Sequence, residues 1–405
     1  MNKRILIIIL AAILAFPVFA KDIAMPPLVI PTAATNGYGG HHIAYTDNVF
    51  SLLVNPAAIV RTQEKSFFTL APSIFNPQYV STLRKSISTV SSGDTVGLGN
   101  LADSISKKEG KIALGVELRE FPLSFAWVAN GFGFGVWNRT FVNANIIGTH
   151  VEAHVFSDVM VPVGFGFRIF EFDHHSLDLG IAVKPFFRVW VREMESIISL
   201  TDETNDFADT YSVPFILGGT FDMGLMYRWD IGLRAGLTFN DIYSGGRSVY
   251  NVNDNIDKKI RYYVPFSMNL GVAYELNIGI FGFAVAADWR NIPNSFRQKD
   301  YLQRSALLDF GIGTQFSLID MIKFRVGMNE MLPGFGLGFD FGPCEIDFAY
   351  YGKEFGNEPG QLSTAVIEFS VAIRPGAQKR YWPWTKRSVV GLISGVEKVE
   401  EEEEI

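Results

Sequence analysis

The residues that could perform acid–base or metal chemistry are few and poorly spaced for it. The chain of 405 residues has one cysteine, Cys344, and six histidines, four of which form the adjacent pairs His41-His42 and His174-His175. Adjacent side chains of an extended chain point in opposite directions, so neither pair is a natural chelate. The sequence also lacks a Gly-x-Ser-x-Gly, Gly-Lys-Ser/Thr or His-Glu-x-x-His motif. We therefore expect no enzyme active site, no metal and no cofactor.

The overall charge excludes further classes of function. Charged residues make up 19% of the chain, hydrophobic residues 48%, and the net charge is −7. A typical soluble domain is about 25% charged, so this chain is poor in charge. An acidic chain without a basic domain is not expected to bind nucleic acid, and one cysteine cannot form a disulfide framework within the chain.

Many of the charged residues alternate with apolar ones. In residues 177–192, for example, Leu177, Leu179 and Ile181 alternate with polar residues such as Asp178 and Lys184. Side chains at alternate positions of a strand lie on opposite faces, which gives one apolar and one polar or small face. We predict that the second face lines a lumen in which charges neutralise one another. The candidates are Lys184, Arg188, Arg192, Arg234, Asp288, Arg290 and Asp340.

The alternating segments predict an all-β transmembrane antiparallel barrel. Their apolar faces are rich in aromatic residues and suit lipid, whereas the second faces suit a crowded, wet lumen. Several segments exceed the five or six residues usual for strands of globular proteins. We count fourteen of them, at residues 66–73, 121–129, 132–144, 158–170, 176–192, 211–228, 231–241, 264–276, 280–291, 305–317, 322–329, 334–342, 344–352 and 362–374.

The remaining pieces complete the predicted organisation. Lys3 and Arg4 precede an apolar run that ends in Val18-Phe19-Ala20, which indicates a signal peptide over residues 1–20, cleaved after Ala20. We expect an N-terminal unit at 21–65, the barrel at 66–374 and a tail at 375–405. Short turns alternate with long connections such as 145–157, and residues 74–110 form a long extracellular segment. The tail contains Tyr381-Trp382-Pro383-Trp384 among basic residues and ends in an acidic run.

Residues 36–61 carry a family pattern. A Gly-rich turn, Asn36-Gly37-Tyr38-Gly39-Gly40, is followed by Asp47 and then by Asn55-Pro56-Ala57 before the first predicted strand. Glycine permits positive φ and close packing, and Asn before Pro is typical of a helix start. The pattern resembles the N-terminal hatch of the FadL family of outer-membrane hydrophobic-compound transporters, and of related PorV-type and spirochaetal FadL-like barrels. Its hatch residues are Gly37, Gly39, Gly40, Asp47, Asn55, Pro56 and Ala57.

The resemblance implies a function. Members of the family are monomeric barrels in the outer membrane of diderm bacteria, assembled by the barrel-assembly machinery and surrounded by outer-membrane lipid. They pass hydrophobic ligands, such as long-chain fatty acids, without an energy source while a hatch plugs the lumen. Two alternatives stay open: a PorV-type docking scaffold without transport, and a general porin for polar solutes.

The resemblance also implies a lateral exit through a kinked third strand. Phe132, Phe134 and Val136 share one face of this strand, but Asn138 breaks the apolar pattern and Phe141 resumes it at an odd position. A β-bulge would shift the register by one residue. We predict a kink at Trp137, Asn138, Arg139 and Thr140, with a strand that rises straight into the extracellular space as the alternative.

Overall fold

The computed structural model describes residues 22–66, 68–77, 111–120, 124–147, 150–196, 213–251, 260–293 and 304–375. Its strands are β1 (Asp22–Ala24), β2 (Glu64–Ser66), β3 (Phe68–Phe75), β4 (Lys111–Arg119), β5 (Phe125–Ala129), β6 (Phe132–Ile147), β7 (His150–Met160), β8 (Val163–Phe172), β9 (His175–Ser196), β10 (Pro214–Trp229), β11 (Leu233–Asn251), β12 (Arg261–Tyr263), β13 (Ser267–Ile278), β14 (Phe281–Trp289), β15 (Phe310–Leu318), β16 (Ile322–Asn329), β17 (Leu332–Asp340), β18 (Cys344–Glu354) and β19 (Ser363–Ile373).

The strands form one closed antiparallel ring. Around the ring there are fourteen strand positions, which we call places. Ten places hold one strand each, and four hold two consecutive strands: β2 with β3, β4 with β5, β7 with β8 and β12 with β13. The last strand, β19, pairs with β3 through residues such as Val371 and Leu70, which closes the sheet. A closed sheet leaves no edge with unpaired backbone groups. The predicted fold class, a transmembrane barrel of about fourteen strands, is confirmed.

The two faces of the wall differ as the alternation predicts. Outward-facing apolar side chains such as Phe335, Phe324 and Val326 are about half exposed, at 50–52%. Their neighbours along the strands are glycines or charged residues such as the buried Arg325. An apolar outer band can face lipid without leaving backbone groups unpaired, because each of the fourteen places of the ring is bonded to the places on both sides of it.

The ends of the ring also differ. At one end all the described connections are short turns, at residues 130–131, 173–174, 230–232, 279–280, 319–321 and 341–343. The other end carries the tight turn at 330–331 and the longer described connection at 355–362. The prediction of a loop at 145–157 is wrong, because β6 and β7 pair over Ile147 and His150 and continue as a tall hairpin.

Residues 22–63, which we call the luminal segment, fold inside the ring. This segment contains β1, helices α1 (Ala33–Gly37) and α2 (Ser51–Val54), and a 3-10 helix, Pro56–Val60; a second 3-10 helix, Ala306–Asp309, precedes β15. β1 pairs in parallel with β12. In the described part of the chain no helix has the length and apolarity to cross a membrane. The predicted signal peptide, most of the segment 74–110 and the tail beyond residue 375 lie outside the described residues.

Candidate functional site

The luminal segment is seated on inward-facing glycines of the wall. A β-carbon built on each of these glycines would lie within 3.1 Å of an atom of the luminal segment, closer than side chains tolerate. At Gly180, for example, it would lie 2.1 Å from the carbonyl carbon of Pro56. Side chains are therefore excluded where the two backbones meet. The glycines are Gly164, Gly166, Gly180, Gly224, Gly236, Gly271, Gly311, Gly313, Gly327, Gly334 and Gly336, and we call them the glycine belt.

The predicted Gly-rich turn is the matching surface on the luminal segment. Gly37 ends helix α1, and its own β-carbon would lie 2.6 Å from the α-carbon of Gly336. Gly39 and Gly40 have φ values of +92° and +105°, which side chains other than glycine rarely adopt. The turn therefore needs glycine twice for its backbone conformation and once for contact with the wall.

Asn55, Pro56 and Ala57 form the predicted helix start, although the helix is of the 3-10 type. The Asn55 side-chain oxygen accepts a hydrogen bond from the Ala57 N–H at 3.1 Å, and Pro56 occupies the first helical position. The Asn55 amide also donates to the carbonyl of Ile43 at 3.0 Å. Asn55 thus joins two turns of the luminal segment where it faces Gly224 of β10.

Two charged contacts fasten the segment to the wall near this point. Asp47 pairs with Arg234, whose guanidinium also pairs with Glu275. Asp288 accepts a hydrogen bond from the backbone N–H of Ile43 at 2.8 Å and contacts the ring of His42 through its other oxygen. The sequence predicts Asp47, Arg234 and Asp288 as hatch or luminal residues, and the structure brings all three to the boundary between plug and wall.

Other predicted luminal charges form pairs within the wall. The Lys184 amine lies 2.6 Å from Asp222 and 3.4 Å from Asp241, all three of them buried. The Arg188 guanidinium donates two hydrogen bonds to the Asp158 carboxylate, of 2.5 and 2.7 Å. Pairing of this kind is required to keep charges in a water-poor interior.

The remaining three candidates lie in different places. Arg290 hydrogen-bonds Asn329 beside Gly40. Asp340 lies towards the short-turn end, 2.9 Å from the Lys323 amine. Arg192 does not lie in the lumen: its side chain is 58% exposed at the rim, where it pairs with Glu152 at 2.7 Å. The alternation gives its face correctly, but β9 has risen above the plugged region by residue 192.

The kink predicted at Trp137, Asn138, Arg139 and Thr140 is wrong. β6 runs unbroken, and Trp137 to Thr140 pair in one register with Met160 to Ser157. Phe141 faces inward and stacks on Phe156, with ring centroids 5.0 Å apart. No register slip is needed, because at this height the lumen itself is aromatic.

The irregularity lies one strand away, in the second place of the ring. β4 ends at Arg119, which pairs with Arg139, and β5 begins at Phe125, which pairs with Val136. Between these two pairs β6 has two residues, 137–138, whereas the second place of the ring has five, 120–124. Glu120, at the start of this interval, has φ of +65° and donates its N–H to the carbonyl of Asn138 at 2.7 Å.

An aromatic cluster, which sequence analysis missed, lies towards the long-loop end of the lumen. The Lys353 amine lies 5.3 Å from the ring centres of Phe75, Phe141 and Phe355. Such cation–π contacts stabilise a charge that has left water. The signal available in the sequence was the odd-numbered Phe141, which departs from the apolar face of its strand.

A polar vestibule lies on the other side of the luminal segment. This cavity has a volume of about 1000 Å3, and its lining includes residues of the short turns and charged residues of the last strands. Arg325 pairs there with Asp347 at 2.5 Å, and Arg374 with Asp340 at 2.6 Å. The luminal segment thus separates the polar vestibule from the aromatic cluster.

The protonation state of His41 and the grouping of possible metal ligands bear on the acid–base and metal chemistry of the lumen. Burial, assisted by the nearby Arg290, lowers the pKa of His41 to about 3, so this imidazole is neutral at ordinary pH. Among the described residues no three His, Cys, Asp or Glu side chains are grouped so that they could hold a metal ion.

No protein-family model and no curated protein matches the chain. It is similar to three solved structures: the CymD monoaromatic hydrocarbon channel (12% identity, TM-score 0.47, 87% of this chain and 98% of that chain), the Pseudomonas putida toluene transporter TodX (13%, 0.45, 87% and 99%) and a Pseudomonas aeruginosa FadL homologue (9%, 0.44, 86% and 99%). The name of the last of these is that of the family which residues 36–61 resemble.

Proposed function

We propose that this chain is a passive outer-membrane transporter of hydrophobic small molecules, with long-chain fatty acids as the preferred class. One observation carries the proposal: the lumen is plugged by a segment of the same chain that packs on glycines and is barely paired with the wall sheet. Among the residues that the structure describes, the one ladder between segment and wall is that of β1 with β12, over three residue pairs. A plug held mainly by packing and single side-chain bonds can shift without breaking the barrel.

The distribution of polarity supports an apolar cargo. Above the plug, the aromatic cluster around Phe141 and Phe156 offers apolar surface, with Lys353 over its rings, and below the plug the vestibule offers charges. An apolar molecule that packs against this cluster gains free energy, roughly 25 cal/mol for each Å2 of surface that it buries. A polar solute gains none of this burial energy, which argues against a general porin.

A test of transport must measure uptake through the intact protein while it lies in a membrane. The test expresses the chain in a diderm host that lacks its own fatty-acid channel and measures initial uptake of labelled hexadecanoate and of a labelled disaccharide. We expect faster uptake of hexadecanoate alone. Faster uptake of both would indicate a porin, and uptake of neither by a folded, membrane-inserted protein would favour the PorV-type docking alternative.

A further inference from the structure

A row of outward-facing side chains changes from apolar to basic where it reaches β11 and β12. Leu217 of β10 pairs with Arg247 of β11, and Arg247 pairs in turn with Arg261 of β12. Ile216 and Tyr262, the chain neighbours of Leu217 and Arg261, are buried in an apolar cluster of the lumen. Because successive side chains of a strand lie on opposite faces, Leu217 and both arginines lie on the outer face of the wall, where all three are exposed.

The two arginines lie beyond the apolar band of the wall, on the side of the longer connections. β11 begins with Leu233 at the short-turn end. At about 3.3 Å per residue and a tilt of about 40°, Tyr243 lies roughly 25 Å and Arg247 roughly 35 Å above this end, whereas the apolar band of such a barrel is about 25 Å tall. Tyr243 and Tyr250, on the same face as Arg247, are 67% and 61% exposed. Tyrosines are typical of the boundary between hydrocarbon and headgroups, so the arginines lie at the level of the headgroups.

Arg247 and Arg261 place two like charges directly opposite each other. The α-carbons of such antiparallel partners lie about 5 Å apart, and like charges in this position repel. In the described part of the chain no carboxylate pairs with Arg247. An anion held between the two guanidinium groups would offset the repulsion. Phosphate suits this place, because its oxygens accept two parallel hydrogen bonds from a guanidinium group.

Apolar surface continues from the arginines along the outer face. Leu217, beside Arg247, is 56% exposed. The rings of Phe187, Phe215 and Tyr250 form a chain of contacts next to it, with centroids 6.0 and 5.5 Å apart. A free phosphate would contact the arginines alone, whereas a lipid would contact both the arginines and this apolar surface. The combination therefore favours a lipid with a phosphate in its headgroup.

We propose that Arg247 and Arg261 bind a phosphate group of an outer-leaflet glycolipid, whose acyl chains lie on Leu217 and the neighbouring rings. The phosphate lies between the two guanidinium groups, and the apolar surface holds the chains in the leaflet. The outer leaflet is the source because the arginines lie at the end of the longer connections, which faces the cell exterior in barrels of this kind. The site lies outside the lumen, so it goes beyond the proposed transport and does not depend on it.

Binding of lipid A with and without its phosphates tests the proposal. The full-length protein is purified in detergent, and equilibrium binding of diphosphoryl and of dephosphorylated lipid A is measured. We expect the diphosphoryl form to bind about tenfold or more tightly. Arg247→Gln with Arg261→Gln should abolish this preference without changing the affinity for dephosphorylated lipid A. Arg247→Lys with Arg261→Lys keeps both charges but loses the planar donors, so it should retain only part of the preference.

The matched control is Lys111→Gln, which removes a positive charge elsewhere at the same end of the barrel. Lys111 is exposed at the start of β4, five places away around the ring, and its loss should leave the affinity for diphosphoryl lipid A unchanged. A heat-modifiability gel verifies that each variant is folded. Equal affinities of the double glutamine variant and the Lys111→Gln control would overturn the proposal and favour a protein ligand for this patch. Displacement of lipid A by equimolar inorganic phosphate or phosphatidylglycerol would also overturn it, because the site would then bind a free anion or any acidic phospholipid.

Discussion

The substitution Gly180→Ala adds one methyl group where the plug rests on the wall. Gly180 lies on β9, and a β-carbon there would be 2.1 Å from the carbonyl carbon of Pro56 and 2.3 Å from the backbone nitrogen of Ala57. Ordinary contacts begin near 3.4 Å, so the 3-10 helix must withdraw by about 1.3 Å. The atoms it meets are backbone atoms, which cannot rotate away as the end of a side chain can.

The size of the effect follows from the cost of overpacking. Inserting a methyl group into a filled interior costs about 1–3 kcal/mol, and every 1.4 kcal/mol changes an equilibrium tenfold. The unseated state of the luminal segment should therefore become roughly 5- to 140-fold more populated. The ring itself should survive, because alanine suits a strand at least as well as glycine does.

Single-channel recording in a planar bilayer measures the unseated state as current openings. We expect a higher opening frequency for Gly180→Ala than for the unsubstituted protein. The matched control is Gly219→Ala on β10, where the added carbon would have its nearest neighbours at 4.0 Å, an ordinary contact. Equal opening frequencies in the two variants would refute the conclusion that the glycine belt seats the plug.

Three other expectations follow from the same structure. Phe335→Arg places a charge on the outer face at a cost of about 2–4 kcal/mol near the midplane, so its folded band on a heat-modifiability gel should be lost, whereas Phe335→Leu should keep it. Lys184→Met leaves Asp222 and Asp241 buried without their cation and should lower the free energy of unfolding in urea by about 3–5 kcal/mol; an unchanged midpoint would contradict the buried triad. His41 has a seated pKa of about 3 against an ordinary 6.5, so the unseated state binds the proton more readily as pH falls from 6.5 towards 3. Opening frequency should rise over that interval, and His41→Gln should reduce the rise.

The wall of the barrel could be predicted from sequence because it depends on the two-residue period with which side chains alternate along a strand. The period alone assigns Phe335 outward and Lys184 inward, whichever strands are their neighbours. The fourteen-place ring follows from the number of such segments. The alternation weakens in the tall hairpin of β6 and β7, above the membrane band. Residues 145–157 therefore have the sequence pattern of a loop although they form strands.

The interior could be predicted only in part, because it depends on which distant residues meet. The Gly-rich turn and the start of the helix at Asn55 are local features, so they can be predicted from the residues that form them. That Pro56 rests on Gly180, or that the Pro26 carbonyl meets Arg188, depends on residues more than 100 positions apart. Phe141 is ambiguous for the same reason: an aromatic side chain suits lipid and a buried aromatic cluster equally well.

The claim that the luminal segment must move for an apolar molecule to pass can be tested in one measurement. Ile23 of β1 and Tyr262 of β12 are partners in the ladder between plug and wall, and paired residues of neighbouring strands lie about 5 Å apart, within the reach of a disulfide. Ile23→Cys with Tyr262→Cys, in a Cys344→Ser background, therefore ties the plug to β12. The protein is placed in vesicles with lipopolysaccharide in the outer leaflet, and influx of labelled hexadecanoate is followed before and after reductant. We predict influx near that of protein-free vesicles while the disulfide is closed, and a rise to the rate of the unsubstituted protein once it is reduced. Full influx through the closed tether would contradict the account.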